Sequence, residues 1–118
     1  MERGSWLEPP RTLKVASLRD LARFAASLAS MGSSVYVIHF AHRGKHIYGL
    51  LTVYRDYYKY YGVPIFYYFE SGEELRGSYI LVKLDERERV EVGDSARPGW
   101  IHIPIVTLSE KPDFIEIP

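Results

Sequence analysis

Seven of the chain's ten tyrosines fall within residues 54–69, YRDYYKYYGVPIFYYF, interleaved with Arg55, Asp56 and Lys59. A phenol ring is a flat apolar platform with a polar tip, so it can stack on a nucleobase while its hydroxyl stays hydrated. Such stacking contributes roughly 1 to 3 kcal/mol per base and is indifferent to which base is present. Tyr54, Tyr57, Tyr58, Tyr60 and Tyr61 are therefore candidate stacking residues, with Phe66, Tyr67 and Tyr68 beside them. Arg43, Lys45, Arg55 and Lys59 are candidate phosphate contacts. Together they would hold an unpaired strand of DNA without reading its sequence. RNA stays open, because nothing in the pattern senses a 2′-hydroxyl. The competing reading is structural: the same tyrosines seal a homo-oligomer interface. Against complete burial, seven phenols in a dry interior would each need a hydrogen-bond partner.

Other constellations are weaker. His39, His42 and His46 have an H-x2-H-x3-H spacing, but the first lies in a strand-like run and the last beyond a turn, so the imidazoles need not converge on a metal. Arg55, Asp56 and His46 could form a general acid or base group, yet the acids needed for two-metal chemistry are missing nearby. Ser33 and Ser34 lack the glycines of a nucleophile elbow, and no phosphate-binding glycine loop occurs. The expectation is a non-enzyme without cofactor or metal.

The elements that position these residues follow from periodicity. Leu50, Tyr54, Tyr57, Tyr58 and Tyr61 recur at helical spacing, predicting a helix that Gly62 caps and Pro64 stops. Residues 63–69 are apolar on both faces and predict an interior strand. Upstream, Ser17 and Asp20 form a capping-box-like pair before a helix over residues 18–31, with Leu18, Leu21, Phe24, Ala25 and Leu28 on its buried face. VYVIHF, residues 35–40, predicts a central strand, and Arg43, Gly44 and Lys45 a hairpin that returns as a short strand. Residues 79–84 and 100–106 predict two more strands, the last placed at an edge because Pro104 lacks a ladder donor. The sum is an α+β fold: a mainly antiparallel sheet of four or five strands with two helices packed on it. Residues 1–12 read as an extended arm, 13–110 as one domain, and 111–118, KPDFIEIP, as an acidic-apolar tail that frays, imitates a nucleic-acid strand or docks on another subunit.

At 118 residues the chain has room for one core. It contains no Cys, Asn or Gln, which excludes disulfides and suggests a thermophilic source. Without the amide side chains that read adenine, base-specific readout would have to come from Arg or Lys to guanine, and non-specific binding is the easier reading. The formal net charge is zero, but it is unevenly spread: residues 1–62 carry nine Lys and Arg against four Asp and Glu, and residues 63–118 six against eleven. Such a dipolar chain can still present one basic face. No apolar run is long enough to cross a bilayer, and no signal-peptide core opens the sequence, so a cytoplasmic protein is expected.

The helix with small residues, the strand VYVIHF and the run GLLTVYRDYYKYYGVPIFYYFE together resemble the ThermoDBP-related single-stranded DNA-binding proteins of thermophilic archaea, over roughly residues 17–84. The resemblance implies helices combined with an antiparallel sheet and not an OB-fold. It also implies binding of single strands through aromatic and basic residues without sequence preference, and assembly into oligomers.

Overall fold

The computed structural model describes residues 11–53 and 65–118. Its elements in chain order are β1 (Arg11–Lys14), α1 (Leu18–Ser30), β2 (Ser34–His42), β3 (Lys45–Val53), β4 (Ile65–Ser71), β5 (Tyr79–Lys83), β6 (Arg89–Gly93) and β7 (Ile101–Thr107).

Local chemistry sets the first of them. The Asp20 N–H donates to Ser17 Oγ at 3.1 Å, satisfying one of the free donors at the start of α1. At the other end, Gly32 at φ 91 turns the chain out of the helix, a conformation that favours glycine. Arg43 and Gly44 both take positive φ, 52 and 77, which is the two-residue hairpin turn whose twist matches the strands it joins. From that turn β2 and β3 run antiparallel through nine paired residues, from His42↔Lys45 to Ser34↔Val53.

All seven strands form one sheet in the order β1-β4-β3-β2-β7-β5-β6. Alternation along the strands gives two packed faces. On the first, Leu21, Ala22, Ala25 and Ala26 of α1 sit against Val35, Val37, Tyr48, Leu50, Ile80, Val82 and Ile103. The three alanines keep this side of α1 slim. On the second face Ile38, Phe40, Ile47, Phe66 and Tyr68 are covered by Ile115 and Ile117 of the C-terminal segment. Gly49 makes this second layer possible. A Cβ there would lie 1.8 Å from Phe66 Cζ, so the missing side chain is the space that the phenyl ring fills.

Three expectations are corrected. The sheet has seven strands, not four or five. It is mixed, because β1 pairs with β4 and β2 with β7 in parallel. Among the described residues there is one helix, not two. Residues 50–53, expected to open the tyrosine helix, belong to β3, where pairing with β2 overrides helical spacing. The remainder of that expected helix, and residues 1–10 of the N-terminal arm, lie outside the described residues.

Pro104 does not mark an edge either, since β7 runs between β2 and β5. Its first half, Ile101 to Pro104, pairs with β5, and its second, Ile105 to Thr107, pairs with β2. The proline sits at the handover, one residue before the β2 ladder begins, where its absent N–H is not demanded. The C-terminal tail is likewise not frayed: Ile115 is fully buried, and Lys111 Nζ donates to the carbonyls of Pro112 and Ile115.

Candidate nucleic-acid interface

The residues singled out for binding separate into three groups. Tyr54, Arg55, Tyr57, Tyr58, Lys59, Tyr60 and Tyr61 lie outside the described residues. Phe66 and Tyr68 are in the core at 3% and 5% exposure, their rings 6.0 Å apart beneath Ile115 and Ile117. As the chain stands here, neither has a face free for a base, because alternation turns both toward the covered side of β4. Tyr67 points the other way and is half-buried, its ring edge-on to Phe24 at 4.6 Å.

Arg43 and Lys45 are exposed at the β2–β3 turn, as a solvent-facing phosphate contact requires. They are not near the root of the tyrosine stretch, however. β3 carries the chain eight residues from Lys45 to Val53, about 26 Å at roughly 3.3 Å per residue, before that stretch begins.

The fold assembles another aromatic and basic group that sequence reasoning missed. Leu81↔His102 and Tyr79↔Pro104 are cross-strand pairs of β5 and β7, and Lys83↔Arg89 and Leu81↔Glu91 extend the same face onto β6. Tyr79 meets the His102 ring edge-on at 6.1 Å. The Trp100 ring lies beneath two guanidiniums, Arg97 at 4.5 Å and Arg89 at 5.4 Å from its centroid. The loop that carries Arg97 and Trp100 is docked by the imidazole of His102, whose Nε2 lies 2.8 Å from the Arg97 N–H. Arg97 also pairs with Glu91 at 2.9 Å, and Arg89 with Asp85 at 2.7 Å. The hydrogen bond from Arg89, helped by the Arg87 N–H, holds the Asp85 carboxyl below its ordinary range. All four partners are solvent-facing. Exposed ion pairs contribute only about 0–1 kcal/mol, so these arginines can exchange a carboxylate for a phosphate at little cost.

Between this loop and the C-terminal segment, Tyr36, Leu51 and Val106 remain 37%, 39% and 43% exposed on the same face. Tyr36 and Leu51 are direct cross-strand partners. The available signal was parity: in VYVIHF, Val35 and Val37 face α1, so Tyr36 must face the other way.

The histidines divide. His39 Nε2 and His46 Nδ1 are 2.9 Å apart, and His39 Nδ1 lies 3.1 Å from Thr107 Oγ1. His39 stacks flat on Tyr48, 4.5 Å between centroids, and the Tyr48 hydroxyl accepts a 2.6 Å hydrogen bond from the Leu75 N–H. Burial holds His39 below the ordinary imidazole value, His46 adds to this and Glu74 opposes it. Burial raises Tyr48 in turn. His42 has the opposite parity on β2, so the H-x2-H-x3-H run is split across the sheet. Among the described residues no group of three or more His, Asp or Glu side chains could hold a metal ion. No helix among them is long and apolar enough to cross a membrane. Compared with protein-family models, curated proteins and solved structures, the chain matches none.

Proposed function

We propose that this protein binds single-stranded nucleic acid without sequence preference, by aromatic stacking combined with phosphate contacts. The observation that carries the reading is the cluster around Trp100, where an indole and two arginines share one sheet face with Tyr79, His102 and the exposed Tyr36. Stacking surfaces beside exchangeable cations are what an unpaired strand needs, and a sheet face is a rigid way to present them. The tyrosine-rich residues 54–61 add candidate stacking rings, and Arg43 and Lys45 candidate phosphate contacts.

The test is titration with oligo-dT, read by tryptophan fluorescence. Binding quenches Trp100 and weakens as salt rises, because neutralised phosphates release counterions. Trp100→Ala lowers the affinity by about 1 to 3 kcal/mol, some 5- to 150-fold. Unchanged fluorescence at low salt with no mobility shift would reject the reading.

A second reading, a homo-oligomer interface, is favoured by the contiguous exposed apolar pair Tyr36 and Leu51 with Val106 nearby. Light scattering separates the two: Tyr36→Ser that dissociates an oligomer while preserving oligo-dT binding assigns this patch to assembly.

A further inference from the structure

We infer that the unpaired strand lies across the β-strands of the sheet, in a lane formed by Tyr79, Pro104, Tyr36 and Leu51. The inference rests on the nucleic-acid reading above and adds to it the path and the length of the ligand. Parity puts the four side chains on one face. Their neighbours Ile80, Ile103, Val37 and Leu50 all belong to the core beneath α1, so each of the four points away from it. Register puts them in one row. Tyr79↔Pro104 pairs β5 with β7, and Tyr36↔Leu51 pairs β2 with β3. The parallel β2–β7 ladder opens at Val37↔Ile105, which brings Pro104 level with Tyr36. Four consecutive strands thus each give the row one uncharged side chain.

The row is open because what flanks it is covered. Toward the start of β7, the His102 ring lies against the Arg97 backbone, and its partner Leu81 is buried. Toward the end of β2, Ile38 and Phe40 lie under Ile115 and Ile117. Both walls run across the strands, so the lane between them does too. At the Leu51 end the next strand, β4, presents Phe66, which the same two isoleucines cover. The lane stops there. At the other end Tyr79 pairs with Gly93 of β6, which has no side chain, so the lane stays open toward the sheet edge. The cations stand at that end, Arg97 and Arg89 over Trp100, where they can take phosphates as the strand passes from the indole into the lane. Three interstrand steps of about 4.8 Å make the row roughly 14 Å long. A stacked strand rises about 3.4 Å per nucleotide, so the lane holds roughly four, and a base on Trp100 makes about five.

The experiment titrates oligo-dT of about three to about twelve nucleotides into the wild-type chain, Tyr36→Ser and Tyr36→Phe, reading tryptophan fluorescence and, by light scattering, the oligomeric state. Wild-type affinity climbs steeply to about five nucleotides and thereafter rises only with the number of registers a longer strand offers. Tyr36→Ser binds strands of this length or longer about 5- to 150-fold more weakly yet still quenches tryptophan at saturation, whereas Tyr36→Phe, which keeps the ring, binds like wild type. Quenching at every length with Tyr36→Ser equal to wild type would overturn the lane and leave the nucleic-acid reading standing. So would an affinity that climbs steeply through about twelve nucleotides, because the strand would then follow a longer path. An oligomer that dissociates in Tyr36→Ser with unchanged oligo-dT affinity would assign the row to a second copy and overturn the lane as well. No quenching at any length would reject the nucleic-acid reading itself, and the lane with it.

Discussion

Gly49→Ala places a methyl group where Phe66 already lies. The new carbon would sit 1.8, 2.3 and 2.7 Å from three atoms of that ring, so the ring must retreat by more than an ångström to reach ordinary contact. It has nowhere to go: Phe66 is 3% exposed and packs with Ile38, Phe40, Ile47 and Tyr68 under Ile115 and Ile117. Overpacking of a closed core costs about 1–3 kcal/mol. Alanine returns roughly 0.5–1 kcal/mol, because it loses less backbone freedom on folding than glycine. The net expectation is a loss of about 0.5–2 kcal/mol, or a fall of some 2–8 °C in Tm. Phe66→Ala alone loses about 3–5 kcal/mol through the cavity it leaves. In that background the methyl enters empty space, so Gly49→Ala becomes stabilising by up to about 1 kcal/mol. Urea unfolding of the four proteins of this double-mutant cycle measures the reversal. Additive effects, or a Gly49→Ala cost that persists without the phenyl ring, would refute the claim that Gly49 is retained for Phe66.

Other outcomes follow from contacts described above. Tyr48→Phe leaves the Leu75 N–H without its partner and costs about 1–3 kcal/mol, with faster amide exchange across residues 72–78, measured by mass spectrometry. Ile115→Ala costs about 2–5 kcal/mol in urea unfolding, where a frayed tail would make it neutral. Stability also falls with acid. His39 binds a proton less readily folded than unfolded, so its contribution is complete above the unfolded value of 6.5 and declines below it until folded His39 itself protonates. Urea midpoints at about pH 7.5 and about pH 5.5 show this slope, and His39→Phe flattens it.

What could be read in the sequence was whatever local chemistry decides. Ser17 and Gly32 bracket α1 within a residue of the expected ends, because a cap and a left-handed exit act on their own neighbours. The β2–β3 turn was legible in Arg43, Gly44 and Lys45 for the same reason. Partner-dependent features were not. Leu50 and Leu51 fit a helix by spacing and became strand because β2 offered them a ladder. Ala22 and Ala26 are more deeply buried than the expected Phe24, which is 39% exposed, because the small side of α1 is the one that can approach the sheet. The parallel placement of β1 depends on β4, a partner far along the chain. Of the candidate site, parity alone could have shown that Phe66 and Tyr68 share a face opposite Tyr67. The convergence of Arg89, Arg97 and Trp100 needed the fold.

The division of β7 between two ladders also bears on how the molecule is made. β1 to β4 supply one block of the sheet and β5 with β6 another, and among the described strands it is β7, Ile101–Thr107, that joins their ladders. During vectorial synthesis the inner border of β2 therefore stays open until β7 has left the ribosome. An unpaired strand border is a template for wrong partners in a crowded cell. Nascent chains stalled before residue 101 should be the sticky ones.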